Sequence, residues 1–158
     1  MPTREIEREI LERLGGIVTT WGLVEQRISD IFVAMTGGSP AAMLTVTVDV
    51  SQNTIIGWIR TLLQVLPITD EVEQEIKEAI AEADELRIER NTLFHGIWTT
   101  NSAPNSAVVQ TIRLDRTEIV KELVVTSADL DALINGIVEC AHRLGAILKD
   151  HSFDHDLT

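Results

Sequence analysis

Apolar residues recur at steps of three and four along the start of the chain: Ile6, Ile10, Leu14, Ile17, Trp21, Val24, Ile28, Ile31 and Met35. That repeat is the mark of a helix with one buried face, and it predicts a single helix from about Thr3 to Met35. Gly15-Gly16 falls inside it, at a cost of about 1 kcal/mol per glycine relative to alanine. The stripe keeps its phase across the pair, so the helix is read as continuous with room for a bend. Thr36-Gly37-Gly38 stops it, glycine suiting the left-handed position after a helix. Beyond that the pattern is ambiguous. Ser39-Pro40 suits the start of a helical turn, whereas Thr45-Val46-Thr47-Val48 is β-branched and alternates, so 41–50 stays open between short helix and extended chain. Ser51 then caps a second helix that turns Ile55, Ile59, Leu62 and Leu66 inward and ends before Pro67.

Thr69 or Asp70 caps the third helix, whose acidic first turn suits the positive end of the helix dipole. Its apolar stripe runs Ile76, Ile80, Ala83, Phe94 and Ile97, which predicts helix to about Trp98. Asn101–Ser106 reads as a loop. Val108–Leu114 and Ile119–Val125 are β-branched runs joined by Asp115-Arg116-Thr117-Glu118, a predicted hairpin. Two strands alone are marginal, so the hairpin must lean on the helices or on a partner. Thr126-Ser127-Ala128-Asp129 has the spacing of a capping box, and the helix it opens carries Leu130, Leu133, Ile137, Ala141, Leu144 and Leu148 on one side. The expected fold is all-α: a four-helix up-down type bundle with a small β-hairpin between the last two helices. Residues 1–150 are expected to form one domain, with 151–158 as a flexible tail.

At 158 residues, 44% hydrophobic and 24% charged, the composition is that of a globular protein with a sizeable core. No apolar run reaches the length of a membrane span, and Met1-Pro2-Thr3-Arg4-Glu5 lacks the apolar core of a signal peptide. The single cysteine, Cys140, leaves no internal disulfide, and a cytoplasmic setting is expected. A net charge of −12 argues against a broad nucleic-acid footprint, which needs a basic face. The acids are uneven, though: Asp70–Glu89 holds nine of them against only Lys77 and Arg87. Any RNA-cleaving site is therefore expected to be small and local.

The candidate chemistry lies in Glu89-Arg90-Asn91-Thr92-Leu93-Phe94-His95-Gly96-Ile97-Trp98. Continuing the apolar stripe of the third helix without a gap requires residues 87 and 90, and both are arginines. A seam that turns cationic indicates a rim position, a snorkelling side chain, a salt bridge to Glu25 or another acid, or an arginine with a task. On a helix Asn91 and His95 share one face. Arg90 is then rotated about 140° from His95 and lies about 7.5 Å back along the axis. A second copy of the helix would bring these groups together more easily than one helix does. Trp21 and Glu25, one turn apart on the first helix, are candidates to face this segment.

Arg90-Asn91, three further residues and His95-Gly96 resemble the Arg-(four to six residues)-His signature of the HEPN superfamily, all-α proteins that include many metal-independent endoribonucleases. The trailing Gly-Ile-Trp is also similar to that family's surroundings. The resemblance covers about ten residues, plus the order of helices. It implies His95 as the acid/base group, Arg90 as the phosphate stabiliser and Asn91 as the group that orients one of them. It further implies attack of an RNA 2′-OH on the adjacent phosphate, with no cofactor or metal, and restraint by an antitoxin protein. The offset of about 140° between Arg90 and His95 and the excess of apolar seam for four helices predict a homodimer, with a composite site where the motif helices meet near the two-fold axis. The alternative is a non-catalytic helical dimerisation or interaction module on the same scaffold.

Other constellations are weaker. His151 and His155 are spaced for a metal but lie at the chain end. Glu139-Cys140-Ala141-His142 is a single Glu-x-x-His where di-iron bundles need two.

Overall fold

The computed structural model describes residues 6–113 and 118–151. Side chains at 112, 113 and 118–120 are outside that description, as are Leu114 at the end of the first predicted hairpin strand, residues 115–117 of the predicted turn Asp115–Glu118, the predicted first turn at Thr3–Glu5, and the predicted tail beyond His151, with His155. Five helices and three strands follow one another among the described residues: α1 Arg8–Thr36, α2 Pro40–Thr47, α3 Gln52–Val65, α4 Asp70–Phe94, β1 Ile97–Thr100, β2 Ser106–Arg113, β3 Glu118–Thr126 and α5 Ser127–Asp150. The chain is thus mostly helical with a small antiparallel sheet in the order β1-β2-β3. This departs from the plain four-helix up-down bundle with a hairpin that the sequence suggested. No helix among the described residues is long and apolar enough to cross a membrane.

Two compact units make up the chain, and the long helices contribute to both. Among the described residues, one is built from α1 through Thr20 together with Glu85–Ile137, the other from Trp21–Asp84 together with Val138–His151. In the first, Ile10, Ile17, Leu93, Ala107, Val109, Val125, Leu130, Leu133 and Ile137 are buried. In the second the α1 stripe from Trp21 to Met35 is buried with Ile55, Ile56, Ile59 and Leu63 of α3, Ile76, Ala79, Ile80 and Ala83 of α4, and Cys140, Leu144 and Ile147 of α5. Phe32 and Trp58 meet there with ring centroids 5.3 Å apart.

Local signals explain most of the boundaries. Helix α1 runs unbroken through Gly15-Gly16, and Thr19 and Thr20 each donate a hydroxyl to the Gly16 carbonyl at 2.9 Å. Gly37 follows its end at φ 63°, the left-handed conformation that glycine adopts without a Cβ penalty. Ambiguous 41–50 resolves as the short helix α2, where the Ser39 hydroxyl accepts from the Ala42 amide. Its β-branched residues contribute little to the core: α2 has no buried residue, and Val46 is exposed, as is Val48 just beyond its end. Thr69 rather than Asp70 caps α4, its hydroxyl accepting from the Val72 amide at 3.4 Å.

The main correction lies at the end of α4. The helix stops at Phe94, and Ile97–Thr100, expected in part as its last turn, forms strand β1. Ile97, Trp98, Thr99 and Thr100 pair with Gln110, Val109, Val108 and Ala107 of β2. Gly96 makes the change of direction sterically feasible. A Cβ there would lie 2.2 Å from Val109 Cγ1 and 3.0 Å from the Thr92 carbonyl, far inside contact distance. The Trp98 indole N–H donates to the Leu93 carbonyl at 2.7 Å, which satisfies a carbonyl the helix end would otherwise leave open.

At the other side of the sheet, the Thr126 hydroxyl and amide both donate to Asp129 Oδ2, at 2.7 and 2.8 Å, and the Asp129 amide returns a bond to the Thr126 hydroxyl at 3.2 Å. This reciprocal cap starts α5.

Candidate functional site

The last two turns of α4 carry Arg90 and Asn91, and His95 follows directly after the helix, all within the first unit. Arg90 and Asn91 are half-buried, and His95 is exposed. The Arg90 Nη1 donates to Asn91 Oδ1 at 2.9 Å. Its guanidinium carbon sits 5.0 Å from the centre of the Phe94 ring, within the range of a cation–π attraction. The sequence identified Arg90 and Asn91 but not the ring beneath the cation. Periodicity places Phe94 only in the apolar stripe, although its position four residues after Arg90 is the spacing at which helical side chains meet.

His95 lies one residue beyond the helix. Its amide still donates to the Asn91 carbonyl at 3.0 Å, so the backbone closes a final turn directly onto the site. Its imidazole makes no hydrogen bond or ion pair among the described residues. The structure therefore joins Arg90 to Asn91 through their side chains, and Asn91 to His95 through the main chain. His95 is the point where helix gives way to strand, anchored on one side by that bond and on the other by tightly packed Gly96.

No family model, curated protein or solved structure matches the chain.

The remaining candidates divide clearly. Trp21 is buried and its indole N–H donates to Glu25 Oε1 at 2.9 Å, so the pair singled out on α1 is joined within that helix. His151 is half-buried, with Nε2 2.8 Å from Glu75 Oε2, just after α5 ends at Asp150. Among the described residues no three of the types His, Cys, Asp and Glu gather closely enough to hold a metal ion. Much of the acid of α4 is spoken for: Arg143 of α5 reaches Glu82 at 3.1 Å and Glu78 at 2.8 Å, Arg60 of α3 reaches Asp84 at 3.3 Å, and Lys77 pairs with Glu73. The hydrogen bonds to Glu82 and Glu78 raise the pKa of Arg143 further. Cys140 is buried, and burial first, then the charge of Glu82, pushes its thiol up to about 12. A thiol so held stays protonated and is no nucleophile.

Proposed function

We propose that the chain is a HEPN-like, metal-independent endoribonuclease that acts as a homodimer. Arg90, Asn91 and His95 form its working groups. The observation that carries this reading is the pairing of a cation held in place with an imidazole left accessible. Arg90 is oriented by Asn91 Oδ1 and the Phe94 ring, while His95 is exposed one turn on.

The chemistry needs little else. A base removes the proton of the RNA 2′-OH, O2′ bonds to the adjacent phosphorus, and the bond from phosphorus to O5′ breaks. The departing O5′ takes a proton, leaving a 2′,3′-cyclic phosphate and a 5′-OH. An imidazole suits the proton transfers, and a guanidinium suits the charge that builds on the phosphorane oxygens. The site has one imidazole per chain, which can be base or acid in a given turnover, and a homodimer supplies both. The acidity of the molecule, −12, slows capture of RNA through long-range repulsion, which suits an enzyme kept quiet and held by an antitoxin protein.

A second reading, a non-catalytic dimerisation or interaction module, is favoured by one observation: Arg90 is half-buried and its guanidinium is engaged by its own helix. Expression in a bacterial host separates the two. The ribonuclease reading expects growth arrest by the wild-type chain and release from arrest by His95→Ala at equal protein level. Normal growth with abundant folded wild-type protein, and no RNA loss, supports the module.

A further inference from the structure

An apolar groove of about 570 Å³ runs between α4 and β3 in the first unit, lined by Ile88, Leu93, Leu123, Val124, Val125 and Leu130, with Glu85, Glu89, Thr92, Lys121 and Asp129 among its polar residues. Ile88 is 60% exposed, Val124 56% and Leu123 36%, so these three form its open apolar rim, while Leu93, Val125 and Leu130 are buried at its floor. Ile88 and Thr92 are each two positions from Arg90, about 200° around the helix axis, which puts these two wall residues on the far side of α4 from Arg90.

The strand forming one wall tells what shape of ligand fits. Successive residues of a strand point to opposite faces, and residues of both parities, Leu123 and Val125 with Val124, line the groove. A wall with both faces represented is the strand's edge. Among the described residues β3 pairs only with β2, so alternate amides and carbonyls along that edge are directed away from the sheet.

Charge then selects the occupant. Glu85 and Glu89 make no ion pair or hydrogen bond through their side chains among the described residues, and with Asp129 they set three carboxylates against one lysine, Lys121. A second copy of the chain docked here about a two-fold axis brings the same acids to the same surface, and like charges brought together repel. RNA is repelled for the same reason.

We propose that this groove takes an extended segment of a partner protein, apolar residues alternating with lysine or arginine, which adds to β3 as a fourth strand. Main-chain bonds to the β3 edge supply the pairing. The apolar side chains, on one face of the added strand, cover Ile88 and Leu123, and the long basic ones, on the other, lay their stems over Val124 and reach round the edge toward Glu85 and Glu89. The surface works whether or not the chain cleaves RNA.

The test uses the full chain and a fluorescent peptide of alternating lysine and valine. Saturable binding is expected, with amide shifts concentrated at Lys121–Val125 and along the exposed side of α4. A glutamate–valine peptide should bind at least about tenfold weaker. So should the lysine–valine peptide when its amides are N-methylated along one edge. Ile88→Asp, and Glu85→Lys with Glu89→Lys, should each weaken binding about tenfold without loss of thermal stability, because all three side chains are exposed. Glu71→Lys, remote in sequence at the start of α4, should leave it unchanged within about twofold. The proposal is overturned if no peptide binds, if Ile88→Asp binds normally, or if Glu71→Lys weakens binding as much as the groove variants. It is also overturned if the groove proves to be a contact between copies, seen as a dimer that Ile88→Asp dissociates.

Discussion

His95, Arg90 and Cys140 are the residues on which the reading can be checked singly. His95 is exposed and its side chain adds little packing, so His95→Ala should keep the wild-type thermal midpoint, within about 0.5 kcal/mol of stability. A fall comparable to that of a core truncation would mean that the residue serves the fold. Arg90→Ala removes both the cation over Phe94 and the bond to Asn91. A partly buried cation–π contact is worth about 1–2 kcal/mol, and denaturant unfolding should show a loss of that order. A loss near zero would mean that the stacked geometry does not persist in solution. Cys140 should resist thiol reagents in the native state and react only as the protein unfolds, since burial keeps its thiol protonated to about 12. Arg90 was legible in the sequence because an arginine interrupts an apolar stripe. The ring it stacks on was not, because Phe94 also fits that stripe and periodicity alone does not tell a buried side chain from a half-buried one.

At the scale of elements, the caps were the most legible features. Ser51, Thr69 and the Thr126–Asp129 box lie where small polar side chains accept or exchange bonds with helix-start amides, and that chemistry is local enough to read from residue types. The end of α4 was not local. Phe94 and Ile97 continue a helical period, but pairing with β2 and the narrow space at Gly96 override it. Gly96→Ala should therefore destabilise the protein by about 1–3 kcal/mol and shift the amide resonances of β1 and β2. A neutral result would refute the steric account of this turn.

The Asp129 cap adds a pH dependence. The Thr126 hydroxyl bond first, and its amide bond second, lower the Asp129 pKa below 3.8. A depressed acid contributes stability that is full above its unfolded value and is lost as pH falls through the folded one. Asp129→Asn should accordingly be less stable than wild type at neutral pH, with the gap closing under more acidic conditions than about pH 3.8. A gap that stays constant down to the acid limit would contradict it. The screening of so exposed a carboxylate keeps the effect small.

For the whole molecule, hydrophobic periodicity carried the helical class, while the third strand and the open β3 edge depend on partners distant in sequence. The −12 charge was plain from composition, yet it did not indicate that Arg143, Arg60 and Lys77 engage part of the α4 acid while Glu85 and Glu89 flank an apolar groove. The ribonuclease account requires two chains, so the mass in solution at micromolar concentration should be that of a dimer. A monomer would remove the composite site. The most direct measurement is incubation of the purified chain with mixed RNA in excess EDTA, followed by analysis of the ends produced. The account predicts fragments with 2′,3′-cyclic phosphate and 5′-OH ends from the wild type, and intact RNA with His95→Ala and Arg90→Ala. Cleavage that needs a divalent metal and persists in His95→Ala would contradict both the site and the mechanism.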